Sequence, residues 1–551
     1  MYDLIIKNVR IIDGTSAPWY RGWVAVQDGT IVRVDTAAPP TQAAREFVDG
    51  NDCCLAPGFI DIHSHSDTTL PEYPLAESRI LQGITTEIGG DCGLSVAPVS
   101  PDPAKKKQLR DYVGDLDYTW ESVGGYLDFL ASRGTSVNFG TAVGHGTIRL
   151  AVMGFEARKA VPAELDAMGR LLRESLRDGA FCLSSGLIYP PGCYADTEEL
   201  TALCRELLPY GAFYETHMRD EGEGVVEALQ EALTVSRQSG APLQVAHHKV
   251  IRKSVWQVHC KTTIALIDQA RRQGMDVKVD QYPYSASATT LDSNAPLWAF
   301  EGGVEGLLAR LQDPETRARI NAEANASHVG RWGDIFVSHA ATEKNQWTVG
   351  KSILEIARCR GVDPADACFD LVLEERCRVG EINYGMCEED IAYIMRQPYT
   401  MIGSDGNAAS LNYPGQPHPR WYGTFPRVIA RYCREKGLFP LETAIFKMTG
   451  LPASRLGLPD RGLIKPGFRA DLVLFDYDTI EDTPTYQSPK QPCRGIRRVY
   501  VNGVLTALDG VHTGAKSGQI LRKVIIWVQK RPFWRRSGAF PARPASTTTV
   551  W

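Results

Sequence analysis

The sequence predicts an α/β protein built on a (β/α)8 barrel of the TIM type, with a small β domain formed from both chain ends. Between about residues 57 and 450, short apolar segments alternate with amphipathic helical segments, whereas hairpin turns separate strand-like runs at the two ends. The length of 551 residues suits a large barrel with additions. An open doubly wound sheet is the alternative, but no Gly-x-Gly-x-x-Gly motif opens a helix after a strand. We therefore expect the closed barrel.

The repeating unit is clearest between residues 83 and 280. The segment Pro162 to Arg177 has apolar residues at helical spacing, Gly179 follows as a stop signal, and Ala180 to Ser184 is typical of the next strand. The same alternation predicts further strands at 83–89, 212–216, 243–246 and 277–280, and further helices at 224–239 and 262–272. Repeated units of this kind indicate a parallel sheet.

The two chain ends predict β-structure with hairpin turns at Asp28-Gly29 and Asn502-Gly503. We expect residues 1–55 and 451–522 to form one discontinuous β domain, and residues 56–450 to form the barrel. Residues from about 285 to 400 interrupt the barrel pattern with helical segments and one short strand at 335–337, which predicts an inserted lid. Residues 523–551 are basic and contain no acid, which predicts a disordered tail.

Composition argues against several classes of protein. The net charge of −5 is too small to indicate a nucleic-acid or membrane partner, and no apolar run approaches a membrane span. The N-terminal residues lack the pattern of a secretory signal, and the thirteen cysteines lack the spacing of a disulfide scaffold. We expect a cytoplasmic protein, either a monomer or a homodimer, whose partner is a small molecule.

Candidate metal ligands follow the predicted strands at the points where the strands end. The two histidines of His63-Ser64-His65 share a face because side chains two apart on a strand point the same way. The glycines around Cys92 leave room for a ligand to approach. Each residue alone also suits a surface histidine or a buried thiol. The carboxyl ends of barrel strands meet at one face, so we expect a zinc site formed by His63, His65, Cys92, His217, His247 and Asp405.

The other histidines are weaker candidates. We expect His145 to line the site and His248 to lie behind it. The remaining histidines are expected on the surface or in the core; they are His259, His328, His339, His418 and His512.

Several motifs together resemble one family. They are Pro57-Gly58-Phe59-Ile60-Asp61-Ile62-His63-Ser64-His65, Gly90-Asp91-Cys92-Gly93-Leu94-Ser95, His247-His248-Lys249, Tyr282-Pro283-Tyr284, Gly403-Ser404-Asp405-Gly406 and His418-Pro419-Arg420-Trp421-Tyr422-Gly423-Thr424-Phe425-Pro426-Arg427. In this order, from about residue 2 to about residue 522, the chain resembles the N-acyl-D-amino-acid deacylases (D-aminoacylases) of the amidohydrolase superfamily.

The resemblance implies a zinc enzyme in a barrel with a small β domain. It implies one tightly held zinc at Cys92, His217 and His247 and a second, weaker metal position at His63, His65 and Asp405. It also implies that Lys249, Tyr282 and Arg420 bind the α-carboxylate of the substrate. Relatives of the dihydroorotase and urease type carry a carboxylated lysine on the fourth strand; residues 179–186 contain no lysine, and Cys92 is expected to replace it.

We therefore expect zinc-dependent hydrolysis of N-acyl-D-amino acids, with Asp405 moving a proton from water to the leaving amine. Residues 285–298 contain no arginine, which favours a neutral or apolar D-side chain, and Tyr189 and Trp298 are candidates to line its pocket. Two alternatives stay open. One is another amidohydrolase reaction, on a cyclic amide or on a dipeptide with a C-terminal D-residue. The other is a non-catalytic scaffold, which the presence of all candidate ligands disfavours.

Overall fold

A computed structural model describes residues 1–40 and 44–524. Its β-strands, in chain order, are β1 (Tyr2–Ile11), β2 (Tyr20–Gln27), β3 (Thr30–Asp35), β4 (Ala44–Asp49), β5 (Cys54–Pro57), β6 (Phe59–Asp61), β7 (Ile84–Gly89), β8 (Asn138–Thr141), β9 (Val143–Gly144), β10 (Cys182–Gly186), β11 (Phe213–His217), β12 (Leu243–Val245), β13 (Val277–Gln281), β14 (Ser287–Thr290), β15 (Ile335–Ala340), β16 (Val379–Asn383), β17 (Thr400–Ile402), β18 (Leu472–Phe475), β19 (Ile496–Val501), β20 (Val504–Leu508) and β21 (Val511–His512).

The α-helices, in chain order, are α1 (Glu77–Ile80), α2 (Pro103–Tyr112), α3 (Val123–Arg133), α4 (His145–Met153), α5 (Pro162–Arg177), α6 (Thr197–Arg205), α7 (Val225–Ser239), α8 (His259–Arg272), α9 (Gly303–Gln312), α10 (Pro314–Ser327), α11 (Ile353–Arg360), α12 (Pro364–Glu375), α13 (Glu388–Met395), α14 (Arg420–Arg427), α15 (Leu441–Met448) and α16 (Gly450–Leu456). A π-helical segment, Val428–Glu435, continues α14. Within the described residues, none of these helices combines the length and apolar composition needed to cross a bilayer.

Parallel strands form a closed barrel at the centre of the molecule. One run pairs β6, β7 and β8; the other pairs β9, β10, β11, β12, β13 and β17, and β9 directly continues β8. Between the first and last strands, the Asp405 N–H donates to the His63 carbonyl (2.9 Å), and the His65 N–H donates to the Gly406 carbonyl (2.8 Å). These bonds close the ring, so the predicted (β/α)8 class is confirmed.

The barrel strands and helices form where local pattern predicts them. Every residue of β7, β10 and β11 is buried, as expected for parallel strands covered by helices on one face and by the barrel core on the other. Helix α5 has Pro162 in its first turn and buries Met168, Leu172 and Leu176 on one face. Gly179 follows the helix at φ 111°, in the region that glycine adopts most easily.

A mixed sheet joins the two chain ends beside the barrel. Its order is β21-β20-β19-β18-β5-β1-β2-β3, with β4 paired to β1. Both predicted hairpins are present, and the two turn residues of each have positive φ: Asp28 (49°) with Gly29 (70°), and Asn502 (51°) with Gly503 (81°). Such turns match the twist of the strands they join. After β21 the chain returns to the barrel, where the Lys523 N–H donates to the Gly179 carbonyl (2.9 Å).

The segment inserted before the last barrel strand has a core of its own. This core is formed by α9 to α12 and a three-stranded antiparallel sheet in the order β14-β16-β15, whereas α13 packs into the core of the barrel. The sequence predicted only the strand that became β15, because Ser287–Thr290 is polar throughout and Val379–Asn383 contains a glycine and a glutamate. Most of the expected basic tail, residues 525–551, lies outside the described residues.

Candidate metal centre and active site

The predicted ligands come together at the carboxyl-terminal mouth of the barrel. Cys92 Sγ lies 3.4 Å from His63 Nε2 and 3.2 Å from His247 Nε2. These three ligand atoms, from the ends of β6, β7 and β12, lie within 4.8 Å of one another. One sulfur and two imidazole nitrogens are a donor set that zinc prefers.

A second group of donors overlaps the first. His65 Nε2 lies 3.0 Å from Asp405 Oδ1, and His63 Nε2 lies 3.8 Å from the same oxygen. The ligand atoms of His63, His65 and Asp405 also lie within 4.8 Å of one another. His63 therefore takes part in both groups, whereas the resemblance assigned it only to the second metal position.

His217 belongs to a further group of donors: the ligand atoms of His217, His247 and Glu221 lie within 4.8 Å of one another, so this group shares His247 with the group that contains Cys92. The ring centroids of His217 and His247 are 4.4 Å apart with their planes nearly perpendicular, and both side chains are buried. Neither ring nitrogen of His217 has a hydrogen-bond partner, which is costly for a buried imidazole unless a ligand completes it. The Cys92 thiol and the His217 ring both lie next to His247, so the residues present fit a bound metal ion.

Glu221 is a neighbour of the site that no sequence pattern predicted. Its carboxylate lies 2.7 Å from Lys249 Nζ, 3.1 Å from His247 Nδ1 and 3.4 Å from His217 Nε2. The sequence signal was the spacing of four residues between His217 and Glu221. Because the two residues are joined by a loop, this spacing does not by itself predict that their side chains meet.

Burial keeps the imidazoles neutral on the side of the site nearest Glu221. Burial, followed by the positive charge of Lys249, lowers the pKa of His247 to about 3. Burial also lowers the pKa of His217. Metals bind neutral imidazole, so this environment favours the ligand form of both residues.

The pKa values of Cys92 and Asp405 are shifted in opposite directions. Burial raises the pKa of the Cys92 thiol, and nearby His63 only partly opposes that effect. Burial alone would also raise the pKa of Asp405, but Arg420, helped by His247 and His65, holds that pKa well below its usual range. Asp405 is therefore a carboxylate, whereas Cys92 needs a cation beside it to become a thiolate.

Three of the candidate ligands have an uncommon backbone conformation. Cys92 has φ 54°, His247 has φ 30° and Asp405 has φ 51°, although none is glycine. Side chains other than glycine adopt this region rarely and at a cost of about 1–3 kcal/mol. Such conformations cluster at functional sites, and here they turn side chains from three strand ends toward one point.

The three expected carboxylate anchors lie next to this centre. Arg420 Nη1 is 2.9 Å from Asp405 Oδ2, and its guanidinium carbon is 4.6 Å from the centroid of the Tyr282 ring. Lys249 Nζ is 5.7 Å from the same centroid. The buried hydroxyl of Tyr282 has no hydrogen-bond partner. Two cations therefore lie against the Tyr282 ring, which carries a hydroxyl that makes no hydrogen bond.

His418, expected on the surface or in the core, is buried and holds Arg420 in place. Its Nδ1 accepts from the Arg420 N–H (3.0 Å), and its Nε2 lies 2.9 Å from the Ala286 carbonyl oxygen. The signal was its place two residues before Arg420 in the His418-Pro419-Arg420 motif.

Of the other residues that the sequence placed in or near the site, some lie there and some do not. Tyr189 packs edge-on against His217, with ring centroids 5.2 Å apart. His248 lies behind the site, as expected, with Nε2 2.9 Å from Thr263 Oγ1. His145 is buried and bonds to Glu199 (2.8 Å). Trp298 instead packs among the inserted helices, where its indole donates to Glu323 (2.9 Å).

Comparison with known proteins identifies the family. The amidohydrolase family model matches residues 46–507. A D-aminoacylase of Alcaligenes xylosoxydans xylosoxydans is 36% identical over 523 residues, which cover 95% of this chain and 98% of that protein. From the same organism, an N-acyl-D-aspartate deacylase is 35% identical over 534 residues (96% and 97% covered), and an N-acyl-D-glutamate deacylase is 34% identical over 522 residues (95% and 96% covered).

A solved structure agrees with these relatives. The N-acyl-D-glutamate deacylase of Bordetella bronchiseptica, complexed with zinc and a phosphonate mimic of the tetrahedral intermediate, superimposes with a TM-score of 0.79 at 33% identity. The match covers 95% of this chain and 99% of that protein. The chain therefore belongs to the amidohydrolase family, and within it to the N-acyl-D-amino-acid deacylases that its motifs resemble.

Proposed function

We propose that this protein is a zinc-dependent deacylase that hydrolyses the amide bond of N-acyl-D-amino acids to a carboxylate and a free D-amino acid. The observation that carries the proposal is the meeting of the Cys92 sulfur with His63 and His247 nitrogens, 3.4 and 3.2 Å away, beside the Asp405–Arg420 pair. Full-length similarity to three deacylases supports the same reaction.

We propose that Cys92, His217 and His247 hold a tightly bound zinc, and that His63, His65 and Asp405 provide a second, weaker position. Two observations support the first assignment: the ring nitrogens of buried His217 make no hydrogen bond, and Cys92 and His247 have a strained backbone. Zinc supplies Lewis acidity, which polarises a carbonyl group and makes water more acidic. Because His63 Nε2 reaches both Cys92 and Asp405, this imidazole lies between the two positions.

Asp405 is the proposed general base and acid. Its carboxylate faces His65 and His63, and Arg420 keeps it ionised, so it can accept a proton from water and later deliver it to the leaving nitrogen. A carboxylate held by a guanidinium also stays oriented while the proton moves.

Lys249, Tyr282 and Arg420 are the proposed anchors for the substrate's α-carboxylate. Arg420 can offer two parallel N–H donors, and the free Tyr282 hydroxyl can donate a third hydrogen bond. Lys249 already pairs with Glu221 at 2.7 Å, so it contributes a charge whose position Glu221 sets. Three groups that grip one carboxylate fix the orientation of Cα, which gives a physical basis for selecting one enantiomer.

The side chain of the substrate is proposed to be neutral or apolar. The relatives act on different D-amino acids at nearly equal identity, 34–36%, so identity alone does not choose among them. Residues 285–298, which begin the inserted segment, contain neither lysine nor arginine to pair with a second carboxylate. Tyr189 is the proposed wall of this pocket, because it packs on His217.

We propose that residues from about 285 to 400 form a lid over the barrel mouth, with the barrel at 56–450 and the β domain at 1–55 and 451–522. The start of the insertion touches the site, since Tyr189 Oη lies 3.0 Å from Thr289 Oγ1. A cytoplasmic location is also proposed, supported by thirteen free cysteines. The proposed partner is the small-molecule substrate.

The test combines a metal assay with a substrate panel. Purified protein is analysed for zinc and assayed with N-acetyl-D-amino acids, their L-enantiomers and α-carboxamide analogues. We expect at least one zinc per chain, hydrolysis of the D-enantiomers and a large loss with the carboxamides. Preference for cyclic amides, or for dipeptides with a C-terminal D-residue, would support the other amidohydrolase reactions. Absence of both zinc and hydrolysis would support the scaffold.

A further inference from the structure

A buried carboxylate on β13 touches two of the candidate ligands at once. Asp280 Oδ1 lies 3.1 Å from His63 Nδ1 and accepts the His247 N–H at 2.8 Å. Its other oxygen, Oδ2, accepts from Gln244 Nε2 at 2.7 Å. Asp280 is inaccessible to solvent, so water does not compete for these contacts. One side chain thereby links strand ends β6 and β12 through a third strand.

The contact with His63 selects which ring nitrogen faces the metal centre. The Nδ1 atom faces Asp280, whereas Nε2 faces Cys92 (3.4 Å) and Asp405 (3.8 Å). A carboxylate beside Nδ1 favours a proton there and leaves the Nε2 lone pair for a metal. Glu215, the next nearest acid, has Oε1 3.8 Å from Nδ1, so Asp280 makes the closer contact.

The contact with His247 holds its uncommon backbone. His247 has φ 30°, and its N–H bonds to the Asp280 side chain, while the next N–H, of His248, donates to the Asp280 carbonyl at 2.9 Å. Asp280 thus binds two successive amides at the point where the chain turns. This turn places His247 Nε2 within 3.2 Å of Cys92 Sγ.

Gly403, which follows β17, leaves room for the contact between Asp280 and His63. At Gly403, an added Cβ would lie 3.2 Å from Asp280 Oδ1 and 2.7 Å from the His63 Cβ. Any side chain there would therefore push His63 and Asp280 apart. Glycine next to Ser404 and Asp405 permits the closed contact between the first and last barrel strands.

We propose that Asp280 is the positioning residue of the metal centre: it orients the His63 imidazole and the His247 backbone together, and thereby couples the two metal positions. The proposal rests on the proposed function, because it assumes that His63 and His247 bind zinc. Asp280 itself contacts neither substrate nor reacting atoms in this role.

The test compares Asp280→Asn and Asp280→Ala with wild type and with a control, Asp390→Asn. Asp390 is likewise a buried acid that accepts a backbone N–H, from Gln257 (2.9 Å), but it lies in the first turn of α13 and belongs to none of the candidate ligand groups of the described residues. Metal-free proteins are titrated with zinc against a chromogenic chelator. Cobalt-loaded proteins are compared by their visible absorption, which reports ligand geometry. Turnover is measured with saturating zinc.

We expect zinc affinity to fall about 10- to 100-fold in Asp280→Ala. We expect a smaller loss in Asp280→Asn, because its side-chain oxygen can still accept from both histidines and Gln244 can rotate its amide. The cobalt spectrum should change and kcat should fall, while KM stays within about threefold because the carboxylate anchors are untouched. The control should match wild type in affinity and spectrum.

Zinc affinities within twofold of wild type in both Asp280 variants, or equal losses in Asp390→Asn, would overturn the proposal. If Asp280→Ala does not fold, the comparison of Asp280→Asn with Asp390→Asn decides. A wild-type protein that binds no zinc would instead contradict the proposed function, and the inference would fall with it. Wild-type zinc binding with unaffected Asp280 variants would reject only the inference.

Discussion

Arg420 Nη1 lies 2.9 Å from Asp405 Oδ2, and both residues are almost completely buried, with 3% and 6% of their surfaces exposed. This pair joins a proposed substrate anchor to the proposed proton carrier. Burial alone would favour a protonated Asp405, but the adjacent guanidinium keeps it charged. The same cation therefore serves two parts of the reaction, which makes its removal informative.

Replacement of Arg420 by glutamine should raise KM for N-acyl-D-amino acids by about 10- to 100-fold, since hydrogen bonds to charged groups contribute about 1.5–3 kcal/mol. Steady-state kinetics with an α-carboxylate substrate and its carboxamide analogue checks this. The carboxamide should show a much smaller change in KM. Arg431→Gln is the control, because Arg431 is partly exposed and pairs with Glu388 at 3.3 Å. An unchanged KM would contradict the anchor role.

Replacement of Asp405 by asparagine should lower kcat by about 10²- to 10⁴-fold, the usual contribution of general acid–base catalysis. Zinc content should remain close to that of wild type, because Cys92 and the histidines near it are unchanged. Metal analysis and turnover are measured on the same preparation. Near-normal turnover with zinc bound would remove Asp405 from the proton-transfer role.

Replacement of Cys92 by alanine should abolish tight zinc binding and activity, since the site loses its only sulfur donor. Cys204→Ala is a matched control: Cys204 is fully buried on α6 and lies in none of the candidate ligand groups of the described residues. It should keep zinc and turnover and lose only some thermal stability. Elemental analysis after dialysis separates the two. Stoichiometric zinc in Cys92→Ala would contradict the assignment.

The inserted segment should show a pH-dependent stability that originates in Glu381. Burial raises the pKa of this carboxyl to about 8, compared with about 4.3 in an unfolded chain. The folded form binds the proton more tightly, so its contribution to stability is complete below pH 4.3 and is lost as pH rises through 8. Glu381→Gln removes this loss and keeps an acceptor for Asn294, which donates at 2.6 Å.

We therefore expect the melting temperature of Glu381→Gln relative to wild type to rise between pH 5 and pH 9. Thermal unfolding monitored by fluorescence across this range measures the difference. Glu323→Gln, in the same segment but partly exposed, should give a difference that does not vary with pH in this window. A constant difference for Glu381→Gln would show that its carboxyl is already ionised in the folded protein.

Local pattern predicted the repeated units and the turns, because these depend on residues close together in the chain. Helix α5 spans the predicted Pro162–Arg177, and both hairpins form at the predicted glycines. Pattern missed β14 and β16, which lack alternating apolar residues. Trp298 was a candidate for the pocket because it follows Tyr284, but its ring packs, partly buried, against the inserted helices.

The sequence predicted which residue types form the site, but it did not predict which of them contact one another. Histidine, cysteine and aspartate at strand ends were visible in the sequence because barrel strands bring their carboxyl ends to one mouth. The roles of Glu221, Asp280 and His418 were not visible, since an acid in a loop or strand has many structural uses. Only their distances to Lys249, His63 and Arg420 distinguish them.

By itself, the order of residues along the chain determined the barrel, the hairpins of the β domain and the kinds of donor atoms at the strand ends, because periodicity and turn chemistry act over a few neighbouring residues. Only the tertiary structure decided which donors share a cation, and that Asp405 lies against Arg420 and His63 against Asp280. Those pairs join residues more than a dozen positions apart, and their separations depend on how the strands align when the barrel closes.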